Sequence, residues 1–95
     1  MAVTDARAAV VRLIKDRGAK NRRGHLRLRV GELFWYVDVR AAGLGPRAPL
    51  RLEVGAWLPE LPPEPDGGAV DCPLLFDVDL GRDQVGETER ILDLI

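Results

Sequence analysis

The chain has 95 residues, of which 46% are apolar and 31% charged. A chain of this size buries roughly 60–65% of its unfolded surface in a single core, and disorder needs a lower apolar fraction, so one folded domain over residues 1–95 is expected. The formal net charge of −1 conceals two opposed halves: residues 1–51 hold 12 Lys+Arg and 4 Asp+Glu (net +8), whereas residues 52–95 hold 2 Arg and 11 Asp+Glu (net −9). No uncharged run approaches the ~18–20 residues that span a bilayer, and charges at Asp5 and Arg7 break up any secretory signal, which argues against a membrane partner. Cys72 is the single cysteine and has no partner for an internal disulfide; a cytoplasmic location is expected.

The first segment reads as an amphipathic helix. Thr4 is a candidate N-cap, and Ala6, Ala9, Val10, Leu13 and Ile14 recur at spacings of three and four on one face. Gly18 supplies a C-terminal stop, because a glycine adopts the left-handed conformation at least cost. The period then changes to two. His25, Arg27 and Arg29 alternate with Leu26, Leu28 and Val30 in the pattern of a half-buried strand. Gly31-Glu32 suits a two-residue hairpin with glycine in its first central position. In the next strand Leu33, Trp35, Val37 and Val39 take one face, and Phe34, Tyr36, Asp38 and Arg40 the other. Its first half is apolar on both faces, which places it centrally in the sheet.

Residues 41–49 carry two glycines and two prolines and read as a loop. Leu50, Leu52, Val54 and Ala56 alternate with Arg51, Glu53, Gly55 and Trp57 in a third strand. Residues 58–68 contain four prolines and form a stiff, acidic, extended loop. Leu74, Phe76, Val78 and Leu80 then define the buried face of a fourth strand. A second helix starts at Asp83, with Val85, Thr88, Ile91, Leu92 and Ile95 on one face. The order predicts a two-layer α+β fold: an antiparallel sheet of three to four strands with an N-terminal and a C-terminal helix on one face. The apolar end of the second helix is expected to pack on the sheet, to continue into further chain beyond Ile95, or to make an interface through Ile91, Leu92 and Ile95, which includes self-association.

The case for chemistry is thin. Asp71, Asp77, Asp79 and Asp83 are the most enzyme-like feature, and Asp77 and Asp79 project from one face of a strand as a pair of hard-cation ligands would. The spacing of a calcium loop is absent, so neither a metal nor another cofactor is assigned. His25 stands among cations with no carboxylate close in sequence to orient it. Cys72 lacks a CxxC partner, and the absence of serine removes serine triads and the Walker phosphate loop. No catalytic residue is assigned.

Charge points instead to partners. Asp71, Asp77, Asp79 and Asp83 form an acidic surface suited to a basic protein. Arg17, Lys20, Arg22, Arg23, Arg27 and Arg29, with Phe34, Trp35 and Tyr36 nearby, suit nucleic acid through phosphate contacts and stacking. The alternative is that the basic region pairs with the acidic half of its own chain.

Arg17-Gly18 at the helix end, Arg22-Arg23-Gly24, Phe34-Trp35-Tyr36-Val37, Val54-Gly55-Ala56-Trp57-Leu58-Pro59 and Asp71-Cys72-Pro73-Leu74 follow one another in an order that resembles the bacterial domain-of-unknown-function 4304 family. The resemblance implies a small α+β accessory protein with a role in bacterial conflict or immunity, and chain continuing past Ile95. It carries no catalytic residue. The expected function is a non-catalytic binding protein that meets an unidentified protein partner through its acidic half. The alternatives are a nucleic-acid-binding module on the basic half and a small metal-dependent enzyme using Asp77 and Asp79.

Overall fold

The computed structural model describes residues 3–41, 43, 49–60, 64 and 66–95. Helix α1 (Val3–Asp16) leads into strands β1 (Lys20–Arg22), β2 (His25–Val30), β3 (Leu33–Ala41) and β4 (Leu50–Trp57). A short 3-10 turn (Gly68–Asp71), β5 (Leu74–Asp79) and α2 (Gln84–Leu94) follow. The five strands form an antiparallel sheet in chain order, with β3 at its centre and β1 and β5 at its edges. The α+β class and the two helices are as the sequence indicates; the sheet has one strand more than the upper expectation.

That extra strand is β1, joined to β2 by a hairpin whose two central residues are Arg23 (φ 53°) and Gly24 (φ 85°). Positive φ at both central positions is the type I′ pattern, which usually signals itself by Asn-Gly or Asp-Gly. Here an arginine takes the strained first position. Asn21 Oδ1 accepts from Gly24 N at 3.1 Å and closes the turn. The Gly31-Glu32 hairpin stands where expected, with Gly31 at φ 61° between the paired Val30 and Leu33.

Both helices contribute to one core on one sheet face. Ala6, Val10 and Ile14 of α1 and Ile91 and Leu92 of α2 pack with Leu26, Leu28, Val37, Val39, Leu52 and Val54. Helix α1 ends as its glycine requires, with Gly18 at φ 104° donating to Lys15 O at 2.9 Å. The N-cap reading of Thr4 lies outside the described side chains. Asp83 caps α2 by accepting from Gly86 N at 3.1 Å.

Strand β5 departs from expectation. Leu80 is fully buried and Val78 partly so, both with the core that holds Ile91 and Leu92. Phe76 and Leu74, expected in that same core, are 46% and 68% exposed. The chain climbs from the Leu80 end of this edge strand into α2, and burial fades with distance from that end. Ile91 and Leu92 are buried and the partly buried Ile95 packs against the core, which matches the expectation that this helix end packs within the domain. Among the described residues no helix is long and apolar enough to cross a membrane.

Candidate functional site

The sheet face away from the helices carries Lys20, Arg22, His25, Arg27, Asp38, Glu53 and Asp77, and residues 68–72, between β4 and β5, fold back onto it. Gly55 makes the seat. A β-carbon there would lie 2.6 Å from Ala69 O and 2.7 Å from Cys72 Cβ, so the strand needs a glycine for the 3-10 turn to approach. Tyr36, Trp57, Ala69 and Cys72 bury one another there, with Phe34 at the margin. Burial, reinforced by the negative charges of Asp38, Asp71 and Glu64, pushes the Cys72 thiol up to about 11. Burial and the hydrogen bond to Glu64 push the Tyr36 phenol up to about 12.

Two carboxylates fasten this segment. Asp38, buried on β3, accepts from Ala69 N at 3.0 Å through Oδ2, and its Oδ1 stands 2.9 Å from His25 Nδ1. The sequence offered no carboxylate for His25; the β2–β3 register, in which Leu26 pairs with Val37, brings one from the next residue along, Asp38. Glu64, from the proline-rich loop, accepts from Tyr36 OH at 2.6 Å and lies 3.4 Å from Arg22 Nε. Arg27 Nε approaches Glu64 Oε1 at 2.8 Å but makes no aligned hydrogen bond. Asp66 stands 3.3 Å from Arg23 and 3.7 Å from Arg22. The internal pairing of basic and acidic halves is thus present, through Glu64 and Asp66.

The charge split of the sequence becomes a gradient across this face. At the β1–β2 edge Arg17, Lys20, Arg22, Arg27, Arg29 and Phe34 line an open cleft of about 590 Å³. Five of the six predicted cations line it; Arg23 stands on the hairpin turn beside Asp66. Of the three predicted aromatics, Trp35 packs against the core on the helix-bearing face, away from these cations. Tyr36 and Trp57 are buried, and Phe34 lies between the Arg27 guanidinium, 3.8 Å from its centroid, and Trp57, 5.6 Å away.

At the other edge Asp77 and Asp79 share Arg51, at 3.5 and 2.9 Å, and both remain more than half exposed. These two are brought together as predicted. Asp71 instead closes a local turn by accepting from Gly67 N at 3.0 Å, and Asp83 caps α2. Among the described residues no three His, Cys, Asp or Glu side chains gather where a metal ion could be held. Beside Asp77 and Asp79 the outer edge of β5 has no described strand against it, and Leu74, Leu75 and Phe76 are exposed.

The chain matches no family model, and comparison with curated proteins and with solved structures finds no significant similarity.

Proposed function

We propose that this chain is a non-catalytic, cytoplasmic binding protein that takes an extended segment of a partner protein along the outer edge of β5. The observation that carries the reading is one edge strand with Leu74, Leu75 and Phe76 exposed and Asp77 and Asp79 beside them. A free edge offers unpaired backbone N–H and C=O groups, and strand addition uses them for affinity while side chains choose the partner. Here alternation sets the partner's chemistry. Leu74, Phe76 and Val78 flank the added strand on the helix-bearing face, and Leu75, Asp77 and Asp79 flank it on the other. Two aspartates sharing one arginine leave a net negative charge, so the fitting segment alternates apolar and basic residues. Cys72 is no activated nucleophile, since burial pushes its thiol up to about 11.

The test uses a synthetic peptide of alternating valine and lysine, with valine–glutamate and scrambled peptides as controls. Backbone amide NMR should show shifts and new exchange protection at Leu74–Asp79 with the first peptide alone. Equal binding of the glutamate peptide, or shifts confined to other strands, would sink the reading. A concentration-dependent dimer protected at β5 would give the edge to a second copy instead.

A further inference from the structure

At the opposite edge of the sheet, we infer a cleft that binds phosphate groups by charge, without reading bases. Six cations stand at this edge: Arg17, Lys20, Arg22, Arg23, Arg27 and Arg29. Among the described residues three carboxylates pair with them, Asp93 at 2.7 Å from Arg17 and Glu64 and Asp66 as above, which leaves a net charge of +3. Lys20 has no carboxylate partner among the described residues, and Arg29 spends its Nε on Gly31 O at 3.3 Å. Lys20 lies directly across from Arg27, and the two project from the same face as Arg22 and Arg29. Converging cations with unspent donors at the mouth of a cleft suit a phosphate, whose oxygens accept several charge-assisted hydrogen bonds at once. The volume of about 590 Å³ admits a diphosphate or a stretch of nucleic-acid backbone. Phe34 is already stacked under Arg27, so no ring is left for a base.

Glu64 gives this cleft a distinctive property. It is a carboxylate of the chain's own, placed against two of the lining guanidinium groups. It lowers the local charge and draws on the donors that a phosphate would use, so it competes with the ligand. A residue that merely supported the site would act with the opposite sign.

The experiment titrates the full chain with inorganic pyrophosphate by calorimetry and with a labelled single-stranded oligonucleotide of mixed sequence by anisotropy, over a range of potassium chloride. Binding of pyrophosphate alone assigns the cleft to small phosphorylated molecules; binding of the oligonucleotide assigns it to a backbone. In the second case log affinity should fall against log salt with a slope of about −2, since three uncompensated cations release ~0.7 counterion each from a single strand. Lys20→Ala with Arg29→Ala, both exposed and without a carboxylate partner among the described residues, should weaken binding roughly tenfold or more. Glu64→Gln keeps an acceptor for Tyr36 and should tighten binding roughly two- to fivefold. No binding of either probe at millimolar concentration overturns the inference. So does affinity unchanged in the double variant, or weakened by Glu64→Gln in a folded protein.

Discussion

Asp38 holds His25 at 2.9 Å across the β2–β3 ladder and with its second oxygen accepts from Ala69 N at 3.0 Å. One buried carboxylate thereby ties the central strand to its neighbour and to the segment that crosses the polar face. Removing it strands a ring nitrogen and a buried amide, and buried donors left unmade cost about 1–3 kcal/mol each. Asp38→Ala should therefore destabilise the domain by about 2–4 kcal/mol in urea unfolding. Gly68→Ala should act in the same direction. Gly68 is at φ 72°, and a β-carbon there would collide with His25 Nδ1 and Asp38 Oδ2. Wild-type midpoints in both variants would mean that the staple does not exist in solution.

Gly55 tests the seat from the other side. Its α-carbon faces Ala69 O and Cys72, and an added methyl group has backbone on one side and a buried side chain on the other. Neither yields cheaply, and overpacking a filled site costs typically about 1–3 kcal/mol. Gly55→Ala should lower the unfolding midpoint accordingly and should speed the reaction of Cys72 with a thiol reagent, because the covering turn lifts. Slow thiol reaction and an unchanged midpoint together would show that the turn does not rest on β4.

Cys72 and Tyr36 predict the alkaline limit of stability. Both folded-state values are raised, from 9.0 to about 11 for the thiol and from 10.0 to about 12 for the phenol. A raised value means the folded state holds the proton more tightly than the unfolded chain does. The associated stability is complete below pH 9, where both states are protonated, and is lost as pH rises through the folded values. The melting temperature should fall progressively between about pH 9 and 12, and Cys72→Ala with Tyr36→Phe should flatten that fall relative to the parent at each pH. A double variant with the same pH profile as the parent would remove these two groups as its origin.

The fold was legible wherever one face of an element is buried. The period of two in His25–Val30 and the double apolar character around Trp35 placed β2 and β3 correctly because those patterns record the core directly. β1 escaped because Lys20–Arg22 buries no apolar side chain and its turn carries Arg-Gly. The candidate site was legible as charge and illegible as pairing. Glu64 reaches Arg22 and Arg27 from the proline-rich loop, and Asp38 reaches His25 through strand register, neither of which has a local spacing. One available signal was Gly55, since a glycine inside an alternating strand marks a close approach by other backbone. The exposure of Leu74 and Phe76 left no trace in their period, because alternation says which face a residue takes and not whether that face is covered.

Phe76 decides whether the outer end of β5 is open in solution. On the same sheet face, Leu52 is fully buried while Phe76 is 46% exposed, and the two belong to adjacent strands. Leu52→Ala removes a core side chain and should cost about 2–5 kcal/mol. Phe76→Ala removes a larger side chain but surrenders only part of the burial that a core phenylalanine would, so it should cost about 1–2 kcal/mol, well below the ~3–5 of a buried phenylalanine. The comparison is read from chemical unfolding at low protein concentration, where self-association contributes least. A Phe76→Ala cost equal to or above that of Leu52→Ala would mean that the ring is covered in the monomer, and the edge offered to a partner strand would then lose its apolar half. A smaller cost leaves Leu74, Leu75 and Phe76 as surface that the fold itself does not need, which is the condition for a partner to use it.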